Sequence, residues 1–320
     1  MSDLLSQVNA SRARLQALGL AEADLPFFLQ TGEFRTACLL LHGSAASPCN
    51  SRPLAQQLFG MGYAVYAPLL AGHHDLAALQ RGETSWLDCY HAAADALQAL
   101  RTQFEAVYVI GSSFGGSLAY LLGVEQGADL AGVVALSAPA MEEPRWQPTR
   151  PWMREVKQAT AAAAWHVRQL HCPTLVMHSV DDPHVRVDHA LTAYPLIPAR
   201  RKKLSLYNGI GHALGFGFNT AEVAQDIDLF IRFNHAPVPL RLSLPDRGYQ
   251  QVLLAGEFSA WQASQPFVWT ADGWQCELAL APGAYQYKLV IDGRWQCDPD
   301  AESVLTPHGE VNSLLRVSKA

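Results

Sequence analysis

The sequence predicts an α/β domain with a mostly parallel sheet, followed by a small all-β sandwich of the immunoglobulin-like kind. Apolar strand patterns alternate with amphipathic helix patterns over the first two-thirds of the 320 residues. After Phe233 the helix patterns end at the proline-containing stretch NHAPVPL, and only short alternating strands follow. The length exceeds that of one typical domain, so a large domain with a smaller second one fits it well.

The first domain shows strands that are apolar along their whole length. The strand patterns are CLLLH, YAVYAPLL, AVYVIG, GVVALSAP, TLVMHSV and KLSLYN, and the helix patterns are PLAQQLFGMG, SWLDCYHAAADALQALR, SLAYLLG and AEVAQDIDLFIRF. Strands of this kind are typical of a parallel sheet that helices cover on both faces. Ligands of such sheets bind beyond the carboxyl ends of the strands.

The second domain shows short alternating segments separated by turn residues. The segments are PLRLSL, QQVLLAG, PFVWT, WQCELAL, YQYKLVI and NSLLRV, and the turns contain DRG, ADG, PG and DG. Alternation with frequent glycine turns predicts antiparallel hairpins, which pack as a small sandwich. We therefore expect one domain over residues 1–235 and a second over residues 236–320.

Composition excludes several classes of function. The formal net charge is -6 and the pI is near 6.0, so the chain has no basic field to attract nucleic acid. No apolar stretch is long enough for a membrane span, and we expect no membrane partner. The segment MSDLLSQVNASRARLQALGL resembles an amphipathic helix and lacks the apolar core of a secretory signal. We therefore expect a cytoplasmic protein.

The six cysteines show neither a disulfide framework nor a zinc pattern. No CxxC pair occurs among them, and we expect reduced and mostly buried thiols. The stretch HSVDDPHVRVDH brings His178, His184, His189 and Asp188 close together in sequence, but no HxxxH helix or cysteine partner supports a metal site. We expect no metal and no cofactor.

The stretch VIGSSFGG contains the clearest chemical motif of the chain. Residues Gly111 to Gly115 fit G-x-S-x-G, in which a serine occupies a sharp turn between a strand and a helix, with its hydroxyl exposed. The central residue is Ser113, and Ser112 is the variable position. A glycine-rich turn also serves to pack a helix close to a sheet, so the motif alone does not establish a nucleophile.

A serine nucleophile needs a base and an acid that orients the base, in the chain order Ser, acid, His. Asp181 and Asp182 follow the strand pattern that ends at Met177, and His212 lies in a glycine-rich loop after another strand. Loops that follow parallel strands emerge at one edge of the sheet. The sequence therefore predicts a triad with either aspartate as its acid.

The segment from about Phe27 to Phe233 resembles the α/β-hydrolase family and is most similar to its carboxylesterase and monoacylglycerol-lipase branch. The matching stretches are LLLHGSAASP, APLLAGHH, GSSFGG, SVDDPHV and IGHAL. The resemblance implies Ser113, Asp182 and His212 as the catalytic residues. It also implies an oxyanion hole formed by the backbone N–H groups of Ser44 and Phe114.

Two features depart from this resemblance. His74 stands in Gly72-His73-His74 where relatives usually have a small residue. The region near residues 141–171, which holds a helical cap in many relatives, is short, and a small cap suggests an open site. Trp146, Trp152 and Trp165 in this region either contact substrate or pack the cap on the body, and we favour packing.

The stretches GEFSAWQ, PGAYQYKLVIDGRWQCDPDAE and HGEVNSLL resemble the family 48 carbohydrate-binding module over Val238 to Val317. This resemblance implies that Trp261 and Trp295 stack on sugar rings and that Lys288 and Asn312 contact sugar hydroxyls. The alternative is a structural β domain that has lost its ligand. His308 stands where many relatives have a leucine, which makes ring insertion there doubtful.

Together the two resemblances imply a serine esterase that acts on a carboxylic ester and is directed to a glycogen-like α-glucan or maltosaccharide. Two alternatives remain at this point. A thioesterase or acyltransferase uses the same triad, because the acid and base do not specify the leaving group. A glycogen-binding scaffold with an idle hydrolase domain is the other.

Overall fold

The computed structural model describes residues 4–31, 34–234, 238–245, 247–280, 283–306 and 309–317. Contacts divide the chain into two compact units, Met1–Asn234 and His235–Ala320. The expected boundary between residues 235 and 236 lies outside the described residues.

The first unit contains a seven-stranded sheet in the order β1-β3-β2-β4-β5-β6-β7. The pair β1 and β3 is antiparallel, whereas all other neighbours are parallel. The strands are β1 (Phe27–Leu29), β2 (Thr36–Leu41), β3 (Ala64–Ala67), β4 (Ala106–Ser112), β5 (Gly132–Leu136), β6 (Thr174–Ser179) and β7 (Lys202–Tyr207). The carboxyl ends of β4, β5, β6 and β7 therefore meet at one edge.

Helices cover both faces of this sheet. They are α1 (Leu4–Ala17), α2 (Pro48–Gly60), α3 (Leu76–Gln80), α4 (Trp86–Arg101), α5 (Phe114–Gln126), α6 (Pro151–His166), α7 (Asp188–Leu196) and α8 (Thr220–Asn234). One core cluster takes buried side chains from α1 and from α3 to α7, and the other takes them from α2 and α8. In β2, Leu39 contributes to the first cluster and Leu40 to the second, because side chains alternate along a strand.

Helix α2 begins with a well-defined cap. The hydroxyl of Ser47 accepts a hydrogen bond from the backbone N–H of Cys49, and Pro48 occupies the first helical turn. Such a cap stabilises a helix by about 1 kcal/mol. It sets the start of α2 directly after the loop that contains Ser44.

The segment near residues 141–171, expected to hold a short cap, contains helix α6. Trp152, Val156, Ala159 and Ala163 are buried on one side of α6, which contacts α4 and α5. Trp165 is exposed. This helix is thus part of the layer that covers the sheet. Trp152 packs as expected, whereas the packing expected of Trp165 is wrong.

The second unit consists of two antiparallel sheets. Its strands are β8 (Val238–Leu244), β9 (Val252–Gly256), β10 (Gln265–Pro266), β11 (Val268–Thr270), β12 (Gly273–Leu280), β13 (Gly283–Ile291), β14 (Arg294–Gln296), β15 (Glu302–Leu305) and β16 (Val311–Val317). One sheet has the order β10-β9-β13-β16-β15, with β14 paired to β13, and the other has the order β11-β12-β8. Their facing side chains form one core that includes Leu254, Leu278 and Leu289.

The cysteines are all free, and four of the six are buried. Within the described part of the chain, no helix combines the length and the apolar character needed to cross a membrane.

Candidate functional site

Ser113 occupies the turn between β4 and α5. Its φ is 53°, in a region that favours glycine, and its backbone N–H donates to the carbonyl of Leu136 over 2.8 Å. A serine held in such a conformation is the usual geometry of a nucleophile elbow. The turn therefore presents the Ser113 side chain at the carboxyl edge of the sheet.

The glycines of the motif are needed for close approach. A Cβ at Gly111 would lie 2.1 Å from the carbonyl oxygen of Gly115, and one at Gly115 would lie 2.3 Å from that of Leu41. Both contacts are backbone atoms that cannot move aside. Glycine at these positions lets α5 start directly against β4 and β2, and this close packing fixes the position of Ser113 at the edge of the sheet.

Asp182 and His212 come together from the loops after β6 and β7. The distance from His212 Nδ1 to Asp182 Oδ2 is 2.7 Å. Burial acts to raise the pKa of Asp182, but hydrogen bonds from His212 and from the N–H groups of Val185 and His184 outweigh it and lower the pKa to about 2. The carboxylate is therefore charged at neutral pH and accepts the Nδ1–H of the imidazole. This leaves Nε2 of His212 free to act as a base.

Asp181 is directed to other partners. Its carboxylate accepts the hydroxyl of Ser179 over 2.5 Å and the N–H of Gly209 over 3.1 Å. The structure thus gives the two neighbouring aspartates different contacts. Asp182 contacts the imidazole of His212, whereas Asp181 accepts a backbone N–H from the loop that contains His212.

Ser44 and Phe114, the predicted oxyanion donors, lie in the loop after β2 and at the start of α5. Phe114 is the first residue of α5, and the first N–H groups of a helix have no partner within it. Ser44 follows β2, and its hydroxyl accepts the indole N–H of Trp152 over 2.6 Å. Phe114 and Trp152 also make an edge contact with ring centroids 5.3 Å apart. Sequence motifs could not predict that Trp152 holds the Ser44 loop, because the two residues are 108 positions apart.

His42 holds the same loop from below. Its Nε2 accepts the N–H of Leu70 over 3.0 Å, and its Nδ1 lies 2.9 Å from the carbonyl of Gly43. Burial, together with the neighbouring His73, lowers the pKa of His42 to about 3. The ring is therefore neutral and structural.

A small cavity joins these groups. Ser44, Ser113 and His212 line it, and its volume is about 110 Å³. The other walls come from the ends of β2, β4 and β5, from α2 and from the loops after β2 and β7: Leu40, Leu41, His42, Gly43, Ala46, Asn50, Ser51, Leu54, Ile110, Ser112, Leu136, Leu214, Gly215 and Phe216. From the short cap we expected an open site. The structure instead has a small cavity beside Ser113. His74 is exposed and does not line it.

The remaining histidines of this region have structural partners. His178 contacts the carbonyl of Val185 over 2.7 Å, and His189 accepts the N–H groups of Ala140 and Met141, each over 3.1 Å. Among the described residues, no group of three or more His, Cys, Asp or Glu side chains is arranged to hold a metal ion.

In the second unit, the four predicted sugar-binding residues line one open cleft of about 620 Å³. Trp261 and Trp295 are exposed, with 37% and 51% of their surface accessible. Trp295 follows a two-residue turn at Asp292 and Gly293 in which both residues have positive φ, as type I′ hairpins require. The turn places this indole at the rim of the sheet.

Lys288 and Asn312 line the same cleft from the neighbouring strands β13 and β16. The amide of Asn312 donates to Gln286 Oε1 over 2.8 Å, and Lys288 Nζ lies 3.5 Å from Glu310. Sequence reasoning missed four further lining residues, Glu257, Gln286, Thr306 and Glu310. Alternation along β13 places Gln286 on the same face as Lys288 and could have identified it. His308 lies outside the described residues.

Comparison with family models separates the two units. Residues 32–154 match the family described as serine aminopeptidase, S33, and residues 238–320 match the family described as the glycogen recognition site of AMP-activated protein kinase.

Curated relatives match one unit or the other. The β-2 subunit of 5'-AMP-activated protein kinase from Rattus norvegicus is 28% identical over 96 residues, which cover 30% of this chain and 35% of the relative. The thermostable monoacylglycerol lipase of Bacillus sp. (strain H-257) is 31% identical over 114 residues, which cover 35% of this chain and 44% of the lipase. The chain thus spans less than half the length of either relative.

Solved structures match the first unit. One from a study of the metagenome-derived lipolytic enzymes LipS and LipT has a TM-score of 0.59 at 20% identity, covering 66% of this chain and 98% of its own. A soluble variant of the Saccharomyces cerevisiae monoglyceride lipase has a TM-score of 0.54 at 15% identity, covering 66% and 91%. The predicted fold class is confirmed: an α/β-hydrolase fold precedes a β-rich module similar to glycogen-binding domains.

Proposed function

We propose that this chain is a serine carboxylic-ester hydrolase that binds glycogen-like α-glucan through its second unit. The observation that carries the proposal is that Ser113 and His212 line one cavity and that the buried Asp182 carboxylate is hydrogen-bonded to His212. The similarity to lipolytic enzymes supports ester chemistry. The cleft with Trp261 and Trp295 supports sugar binding.

The first half of the reaction forms an acyl-enzyme. Ser113 Oγ attacks the acyl carbon while His212 Nε2 removes the hydroxyl proton, and Asp182 stabilises the resulting imidazolium. The N–H groups of Ser44 and Phe114 hold the oxyanion, and each such donor typically contributes a factor on the order of 10²–10³ in rate. Collapse of the tetrahedral intermediate breaks the bond to the alcohol oxygen, which takes its proton from His212.

The second half returns the enzyme to its starting state. His212 removes a proton from a water molecule, and the hydroxide attacks the acyl carbon of the ester on Ser113. The same two N–H groups hold the second oxyanion. The carboxylic acid leaves as Ser113 regains its proton, so one water is consumed for each ester hydrolysed and no cofactor takes part.

The second unit is proposed to hold the enzyme on its substrate. A flat indole face suits the C–H side of a pyranose ring, and Lys288 and Asn312 supply donors for its hydroxyls. An enzyme bound to a glucan meets an ester on the same polymer at a raised effective concentration. We therefore propose that the ester belongs to the polysaccharide or to a short acylated maltosaccharide. We also propose a cytoplasmic location, which six free cysteines support.

The test combines active-site labelling with hydrolysis. A fluorophosphonate probe should label the wild type and leave Ser113→Ala unlabelled, and Ser112→Ala serves as the matched control that keeps the label. Hydrolysis of p-nitrophenyl acetate should fall by roughly 10⁴-fold or more in Ser113→Ala, while glycogen binding in affinity electrophoresis stays unchanged. Failure of the wild type to react with the probe would favour the idle scaffold.

The acceptor and the bond type need separate substrates. An acyl-thioester, an added alcohol acceptor and an aminoacyl p-nitroanilide distinguish a thioesterase, an acyltransferase and an aminopeptidase from an esterase. The proposal expects kcat/KM for the oxygen ester to exceed that for the thioester and the anilide. A higher kcat/KM for the thioester would instead indicate a thioesterase, and a higher value for the anilide would indicate an aminopeptidase.

A further inference from the structure

The cavity beside Ser113 limits the size of the group that enters it. Its volume is about 110 Å³. A dry protein cavity of about 150 Å³ admits benzene, which has six carbon atoms. By the same scale, the cavity beside Ser113 has room for a chain of roughly four carbons.

Leucines from three elements close the inner end of this cavity. Leu54 comes from α2, Leu136 from the end of β5 and Leu214 from the loop after β7, and all three are almost fully buried. None of the described residues that line the cavity is Asp, Glu, Lys or Arg. The inner end thus suits an uncharged aliphatic group and opposes a carboxylate or an ammonium.

Gly215 also lines this end of the cavity, next to Leu54 and Leu136. It has a φ of +87°, and a Cβ there would lie 3.4 Å from both Leu54 Cδ2 and Leu136 Cδ1. A methyl group at this position would thus reach ordinary van der Waals contact with both leucines, so little space separates the loop after β7 from α2 and β5.

Trp152 is buried next to the Ser113 turn and does not line the cavity. This indole is 2% exposed and contacts both Phe114 and the hydroxyl of Ser44. The cavity has room for about four non-hydrogen atoms of a chain, and a hexose ring with its hydroxyls has more than twice that number. The sugar part of the proposed substrate therefore stays outside, and the cavity receives the acyl part.

We propose that the enzyme hydrolyses esters of short, uncharged aliphatic acids, from acetyl to butyryl, and that Leu54 is a residue that sets this limit. The inference rests on the proposed esterase function and names the substrate class within it. Hydrolysis of such an ester consumes one water and releases the free glucan hydroxyl and a short carboxylic acid.

Two series of esters test which group enters the cavity. In the first, p-nitrophenyl esters vary from acetate to laurate, and in the second, acetate esters carry alcohols from methanol to octanol. We expect kcat/KM in the acyl series to fall at least tenfold between butyrate and octanoate, with little change in the alcohol series. A flat or rising acyl series, or a fall confined to the alcohol series, would overturn the inference while leaving the esterase intact.

A pair of variants tests Leu54 directly. Leu54→Ala should extend activity by about two carbons, so that hexanoate gains at least fivefold relative to butyrate. Leu58→Ala removes a buried leucine one turn later on α2 that does not line the cavity, and its acyl profile should match the wild type. Identical profiles in both variants would exclude Leu54 as the limit. If a variant fails to fold, the wild-type acyl series decides.

Discussion

The two candidate sites of this chain differ in how their side chains are held. Asp182 is fully buried, and three hydrogen-bond donors surround its carboxylate. Trp295 has half of its surface exposed and lies in the β13–β14 hairpin. The first site is a cavity of about 110 Å³, whereas the second is an open cleft of about 620 Å³.

The difference follows from what each site is proposed to do. Proton transfer and oxyanion binding depend on atoms placed within a few tenths of an ångström, so buried hydrogen bonds are needed to hold them. Binding of a flat polymer depends on exposed apolar area, which tolerates small shifts. Substitutions in the first site should therefore have much larger effects than those in the second.

The largest expected effect comes from Asp182→Asn. An asparagine side chain has one oxygen that accepts hydrogen bonds and an NH2 group that only donates them. With this NH2 group facing Nδ1 of His212, the imidazole adopts the wrong tautomer. We expect kcat to fall on the order of 10⁴-fold, while the fold is retained. Steady-state hydrolysis of p-nitrophenyl acetate measures it.

Asp181→Asn is the matched control for this change. It removes the same charge from the neighbouring residue, which contacts Ser179 and Gly209 and not His212. We expect a loss of less than about tenfold. Equal losses in the two variants would show that the region acts through charge alone and that Asp182 has no special role.

The second effect concerns acid stability, which should differ between the units. His42 has a pKa lowered to about 3 by burial, and burial also lowers the pKa values of His73, His178 and His189. The unfolded chain binds protons near pH 6.5 that the folded unit does not bind, so stability falls as pH falls below this value. For His42 alone the loss between pH 7 and pH 5 is about 2 kcal/mol.

Hydrogen exchange on the full chain measures this difference. Opening free energies of amides in α5 should decrease from pH 7 to pH 5, after correction for intrinsic rates. Those of β13 should change little, because no histidine occurs among the described residues of the second unit. Equal decreases in both units would contradict the assignment of acid sensitivity to buried histidines.

The third effect is on glucan binding. Trp295→Ala removes a ring face that buries on the order of 60–80 Å² against a sugar, which weakens binding roughly tenfold to thirtyfold. Affinity electrophoresis in glycogen measures it. Trp269, on β11 in the other sheet, is 51% exposed like Trp295 and does not line the cleft, so Trp269→Ala is the control. A loss in Trp269→Ala of the same size would place the sugar elsewhere.

The smallest effect is expected for Trp152→Phe. The phenyl ring keeps much of the packing on Phe114 but cannot donate to the hydroxyl of Ser44. Loss of one such bond costs about 0.5–1.5 kcal/mol, so kcat should fall roughly twofold to tenfold with KM little changed. Trp165→Phe, at an exposed position on the same helix, should leave both constants unaltered.

Local patterns were enough to predict the long strands and helices α1, α2, α4, α5 and α8, because each of them buries a periodic set of side chains. Helix α6 is as long as α4, but its stretch was predicted only as a short cap region. The short elements were missed. Strand β10 has two residues and β14 has three, too few for any period to show. Helix α3 has five residues and depends on its cap at Asp75.

The candidate sites show the same division. The elbow at Ser113 and the turn beside Trp295 are each formed by a few consecutive residues, so the sequence was enough to predict both. The choice between Asp181 and Asp182 depends on which oxygen meets His212, a contact 30 residues away. Trp152 and Ser44 are farther apart still, and no spacing rule connects them. Contacts of this kind exist only in the folded chain.

The backbone at Ser113 has a consequence for attempts to engineer this protein. Its φ of 53° is a conformation in which a residue with a Cβ stores about 1–3 kcal/mol of strain, and a glycine would adopt it freely. Directed evolution that screens only for heat resistance would therefore favour glycine at position 113. The hardiest clone from such a library would be catalytically dead, so every round has to select for turnover as well as for survival.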